Sequence, residues 1–228
     1  MARHERIKAP IFAIDRLRMG TDGQGITTLV CFMGCPLRCA YCLNDRCHDP
    51  VYEVDGKTPR KGVMMLTPQE LYDRVKIDNM YFQTTGGGIC FGGGEPMLYP
   101  KFIEEFRAIC GEKWKITVET SLYGAAYNMI ERLAGVIDQR IVDVKSLDIF
   151  IYERYTGRPS HIEQSLACFT TIGIQDKVQV KVPLIPDYNG EEDVTDTIKA
   201  ILRRGFTDIK TINYVKRISK YPPKTEKP

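Results

Sequence analysis

From residue 86 onward the chain alternates between two periodicities, and that alternation limits the fold more than any other feature. Helical patterns at about 100–110, 125–136, 161–172 and 191–204 separate apolar segments at about 114–120, 141–147, 179–185 and 207–215. Two more apolar segments, near 27–33 and 88–92, bring the strands to six. Strands that are apolar throughout and alternate with helices form a parallel sheet covered by helices. A closed eight-stranded barrel takes about 250 residues, so six units in 228 residues predict an α/β partial barrel, (β/α)6, open on one side. No linker or fixed-period repeat marks a second unit. One domain is expected over 1–228, with an extension over 1–26, a core over about 27–215 and a basic tail over 216–228.

Ahead of the alternation lies a strand candidate at Ile11 to Leu17, and a glycine-rich turn over 20–25 divides it from the strand at Thr27 to Phe32. Thr67-Pro68-Gln69-Glu70 predicts a helix from there to about Met80, because it supplies an N-cap, a proline at the first helical position and a capping-box carboxylate.

In parallel α/β folds the site lies at the carboxyl ends of the strands. The first of the six strands is followed by Cys35, Cys39 and Cys42, and the second by Gly92-Gly93-Gly94-Glu95-Pro96. The third ends in Glu119-Thr120-Ser121, the fourth carries Asp143 and Lys145, and the fifth is followed by Asp187 and Asn189. The three thiols, separated by three and two residues, have metal-site spacing. A tetrahedral zinc needs a fourth ligand, for which His48 is the candidate. A 4Fe-4S cluster held by three thiolates keeps one iron open to a ligand.

Composition adds exclusions. The charge balance is +3, which gives no reason to invoke a nucleic-acid or membrane partner. No apolar run is long enough to span a bilayer and no signal-type segment opens the chain, so a cytoplasmic protein is expected. Eight cysteines in a reducing compartment are not a disulfide framework. Cys90, Cys110 and Cys168 read as small buried hydrophobes, Cys31 and Cys47 as lying outside the ligand set, and the basic run from Lys216 to Lys227 as solvated.

The loop Cys35-Pro-Leu-Arg-Cys39-Ala-Tyr41-Cys42 resembles the signature of the radical S-adenosylmethionine (SAM) superfamily, and Gly93-Gly94-Glu95-Pro96 resembles its GGE motif. The longer stretch from Asp22 to Asn44 is similar to the opening of the glycyl radical enzyme activating enzymes, the pyruvate formate-lyase activase group. Asp143-Val-Lys145, Tyr155-Thr-Gly157 and Val182 to Asn189 extend that likeness over roughly 20–190. The resemblance implies one 4Fe-4S cluster on Cys35, Cys39 and Cys42, reductive SAM cleavage to a 5'-deoxyadenosyl radical, and hydrogen abstraction from a glycine of a partner enzyme. It implies an adenine contact for Tyr41, SAM amino-group contacts for Gly93, Gly94 and Glu95, and a place near SAM for Lys145. It also implies a monovalent cation, sodium or potassium, at Glu119, Thr120 and Asp143, and a flavodoxin or ferredoxin-type electron donor.

The sequence departs from that group at Gln24 for Pro, Thr27 for Arg and Glu119 for Asp, and it has no histidine within 212–221. No cysteine lies between Cys47 and Cys90, so ligand count excludes auxiliary clusters there. Two other readings stay open. One is a radical SAM enzyme acting on a small molecule or peptide, such as one resembling the 7-carboxy-7-deazaguanine synthases. The other is a non-catalytic iron-sulfur or zinc protein.

Overall fold

The computed structural model describes residues 7–223; Met1–Arg6 and the end of the basic tail, from Lys224, lie outside them. Eight strands form one open sheet. Six of them run parallel, in the order β2 (Ile26–Phe32), β4 (Gly88–Gly93), β5 (Lys115–Thr120), β6 (Gln139–Asp143), β7 (Val178–Leu184) and β8 (Asp208–Asn213). These are the six expected strands. β1 (Ala9–Met19) pairs antiparallel with β2 on one side and with β3 (Met64–Leu66) on the other. Part of the N-terminal extension therefore belongs to the sheet.

The helices are α1 (Pro68–Val75), α2 (Asn79–Thr85), α3 (Pro100–Cys110), α4 (Tyr127–Arg132), α5 (Ile149–Thr156), α6 (Ile162–Ile172) and α7 (Glu191–Arg203). α1 starts as expected, with Glu70 N donating to the Thr67 hydroxyl and Thr67 N to the Glu70 carboxylate. It stops at Val75 and does not run to Met80. The buried Asp78 interrupts it, drawn inward by Arg16 at 2.7 Å and the Thr28 hydroxyl at 3.2 Å. α4 is shorter than the expected 125–136, because the chain passes Gly135 in tight turns from Glu131 and Leu133.

α5 has no counterpart in the sequence reading. Its residues, Ile-Phe-Ile-Tyr-Glu-Arg-Tyr-Thr, have strand-like composition, yet Asp148 caps Phe150 N and Ile151 N, and Gly157 closes the helix in the left-handed region.

Period-two alternation sorts each strand between two faces. Val30, Phe32, Phe91, Val118, Val142 and Val180 point outward into one continuous core with Phe102, Phe106, Trp114, Leu166 and Phe169 from the helical layer. Their neighbours Cys31, Cys90, Glu119, Asp143 and Lys181 occupy the alternate positions along the same strands, on the inner face. The glycine-rich turn tucks against that face. A Cβ on Gly23, where φ is +118°, would lie 2.6 Å from the Thr117 hydroxyl. Among the described residues no helix is long and apolar enough to cross a membrane.

Candidate active site

The cysteine loop begins where β2 ends. Gly34, with φ at +85°, turns the chain out of the sheet, and its N–H donates to Cys47 O at 2.7 Å. The far side is latched to α5: Arg38 N donates to Thr156 O at 2.8 Å and Ala40 N to Tyr155 O at 3.0 Å. Cys35, Cys39 and Cys42 are half-buried on this loop. Burial pushes the Cys39 thiol up to about 12. Cys42 is pulled down, because Cys47 donates to it and His48 lies beside it.

Cys47, expected outside the ligand set, thus packs against Cys42 and also against Cys35, and its own thiol is pushed up by both. Among the described residues no three His, Cys, Asp or Glu side chains converge on the position of a single ion.

The glycine motif clamps this loop to the neighbouring strand. Gly94 N donates to Phe32 O at 2.9 Å, and Glu95 N to Gly34 O at 2.8 Å. A Cβ on Gly94 would lie 2.1 Å from Gly34 O, so the approach is open only to glycine. Glu95 is fully buried and accepts four hydrogen bonds. Oε1 takes Thr120 Oγ1 at 2.5 Å and Met97 N at 3.1 Å, while Oε2 takes Ser121 Oγ at 2.7 Å and Ser121 N at 3.0 Å. A carboxylate offers about four acceptor positions, so Glu95 is filled by the protein and braces β4 to the end of β5. Burial raises its pKa against those hydrogen bonds.

At the other side of the rim Lys145 donates to Asp143 Oδ2 and, at 2.5 Å, to the Tyr214 hydroxyl, which itself donates to Asp143 Oδ2 at 2.5 Å. Burial by itself would lower the Lys145 ammonium; Asp143 outweighs it, and the group is held well above its ordinary value. Tyr41 packs edge-on against Tyr155 and Tyr188 and donates to Asp187 at 2.8 Å. Two buried polar atoms on this side have no partner, Asp143 Oδ1 and the Tyr155 hydroxyl. A buried group left in that state is costly, and the pair marks a place suited to a polar ligand.

Of the residues singled out from sequence, the structure joins Gly94 and Glu95 to the cysteine loop, and Thr120 to Glu95. Glu119 faces the other way, into a 2.5 Å ion pair with Lys181. Tyr214 and Lys181 were not singled out from sequence; Ser121 and Tyr155 were named without a contact assigned to them, and Cys47 was set outside the ligand set. Tyr214 was within reach of the strand-end argument, since it immediately follows β8.

Residues 29–216 match the Radical SAM superfamily. The chain belongs to the radical SAM superfamily. It is 32% identical over 203 residues to the pyruvate formate-lyase-activating enzyme of Clostridium pasteurianum, spanning 88% of this chain and 76% of the relative. It is 26% identical over 236 residues to the choline trimethylamine-lyase activating enzyme of Oleidesulfovibrio alaskensis, spanning 82% and 75%. Among solved structures, Streptococcus suis SuiB bound to S-adenosylmethionine shares the fold at a TM-score of 0.59 and 17% identity. That match covers 84% of this chain and 41% of SuiB, so the present chain spans about two fifths of that structure. Native anSMEcpe with bound AdoMet matches at 0.55 and 17%, over 85% and 52%.

As a radical SAM enzyme the chain is of oxidoreductase type, and membership implies SAM and a 4Fe-4S cluster. The donor set suits both. Thiolates are the ligands iron-sulfur clusters take, and the orphaned Asp143 oxygen and Tyr155 hydroxyl offer hydrogen bonds to a polar cofactor.

Proposed function

We propose that this radical SAM enzyme activates a glycyl radical enzyme by removing a hydrogen atom from a glycine of that partner. The observation that carries this reading is the match, over most of the chain, to relatives named as activating enzymes for pyruvate formate-lyase, choline trimethylamine-lyase and benzylsuccinate synthase. The open edge of the sheet supports it, since a peptide loop must reach the rim from the side.

Cys35, Cys39 and Cys42 would hold a single 4Fe-4S cluster, reduced by a flavodoxin or ferredoxin-type donor. Bound together there, the cluster and SAM would supply, on one-electron reduction, methionine and a 5'-deoxyadenosyl radical able to accept the glycine hydrogen. Gly93 and Gly94 bring main chain close to the cofactor, and Glu95, clasped by Thr120 and Ser121, fixes that main chain in place. Lys145 gives the SAM carboxylate a cation, oriented by Asp143 and Tyr214. Tyr41, wedged between Tyr155 and Tyr188, walls the adenine side.

The test mixes reduced, cluster-loaded enzyme and SAM with candidate glycyl radical proteins, those of the relatives' named systems first. A glycyl EPR doublet on that partner is expected. Formation of 5'-deoxyadenosine without a doublet would move the reading to a peptide or small-molecule substrate, a class suggested by SuiB bound to precursor peptide SuiA among the solved structures of this fold.

A further inference from the structure

The resemblance to the activating enzymes implies a monovalent cation at Glu119, Thr120 and Asp143, and the arrangement of these side chains does not fit one. Glu119 and Thr120 are consecutive on β5, so they face opposite sides of the sheet. The Thr120 hydroxyl is committed on its own side, donating to Glu95 at 2.5 Å and accepting from Leu122 N at 2.9 Å. On the inner face Glu119 Oε1 accepts from Lys181 Nζ at 2.5 Å. Asp143 Oδ2 is shared by Lys145 and Tyr214.

The register explains how Lys181 gets there. It lies on β7 directly opposite Asp143 of β6, and its flexible stem reaches across β6 to the carboxylate on β5. Glutamate in place of the shorter aspartate extends the acceptor toward it. The patch then holds two carboxylates, Glu119 and Asp143, and two ammoniums, Lys181 and Lys145. The next carboxylate on this face, Asp22, is already paired with Arg18. The inner-face charges cancel without an ion, and an added cation would meet two like charges in a partly desolvated place. Asp143 Oδ1, buried without a partner, belongs to a carboxylate whose other oxygen already accepts from Lys145, which favours a hydrogen-bond donor there over a metal ion.

We propose that Lys181 is a built-in substitute for the monovalent cation, a positioning residue whose ammonium occupies the charge position that sodium or potassium would fill beside SAM. Its effect on SAM rests on the rim being the SAM site, as proposed above; the absence of a cation site does not.

Two measurements separate these. Sodium-23 NMR relaxation on the cluster-loaded protein reads cation binding whether or not SAM binds. No saturable sodium signal is expected for the wild type, and one is expected to appear in Lys181→Met. SAM affinity is then compared in choline buffer and in potassium buffer at equal ionic strength. Wild-type affinity is expected to be the same in both, whereas Lys181→Met should lose about tenfold in choline and recover in potassium. Saturable sodium binding by the wild type that disappears in Glu119→Gln would overturn the proposal, as would wild-type SAM affinity that depends on potassium.

Discussion

The two faces of the parallel sheet are built from alternate residues of the same strands and do opposite work. Val118 and Val142 are sealed in the outer core, while Glu119 and Asp143, one residue further along, stand on the inner face in ion pairs with Lys181 and Lys145. Burying a large apolar side chain stabilises by about 1.5–3 kcal/mol. A buried ion pair often contributes less than a well-packed apolar pair of the same volume. The outer face therefore holds the fold, and the inner-face charges are the ones the proposed cofactor site would use.

The largest effect is expected at the thiols. Cys39→Ala should abolish the iron-sulfur absorption and SAM cleavage together, with the far-UV circular dichroism of the sheet retained. An intact cluster spectrum in that variant would remove Cys39 from the ligand set. On the outer face, Phe91 stacks on Phe32 at 5.3 Å and meets Phe106 edge-on at 5.5 Å. Phe91→Ala should cost about 3–5 kcal/mol in urea unfolding, with turnover per folded molecule unchanged.

The inner pair should behave in the reverse sense. Lys145→Met alone leaves Asp143 without a counter-charge, held only by the Tyr214 hydroxyl, and should cost about 3–5 kcal/mol, whereas Asp143→Asn combined with Lys145→Met should recover most of that stability and none of the SAM affinity. Recovery of both would make the pair structural. The smallest effect belongs to Tyr214→Phe, which removes one hydroxyl from the Asp143–Lys145 contact. It should weaken SAM binding by about three- to tenfold at a cost near 1 kcal/mol. Unchanged SAM affinity at that same loss of stability would make the hydroxyl merely structural.

Five of the six parallel strands were legible because buried parallel strands are apolar throughout; β8, Asp-Ile-Lys-Thr-Ile-Asn and largely exposed, was legible from its place in the alternation. The antiparallel edge strand β3 was not, since three residues carry too little pattern. α5 was hidden because Ile149, Phe150, Ile151 and Tyr152 favour strands in composition, and its cap and terminal glycine decide otherwise. The cysteine loop and the glycine motif were visible as spacings. Their mutual clamp was not, since Gly34 and Gly94 lie 60 positions apart in the chain and meet only through backbone atoms. The Lys181 pair was invisible for a related reason: a lysine in an apolar strand reads as an inward charge, and its partner depends on register across three strands.

On the function proposed above, the rim cysteines and the inner-face charges together make a site for reductive cleavage of SAM. Anaerobic reconstitution with iron and sulfide, followed by reduction in the presence of SAM, tests it most directly by chromatography of the products. 5'-Deoxyadenosine and methionine are expected in equal amounts, both lost in Cys35→Ala, Cys39→Ala and Cys42→Ala. A protein that carries an intact, reducible cluster yet forms neither product would contradict it.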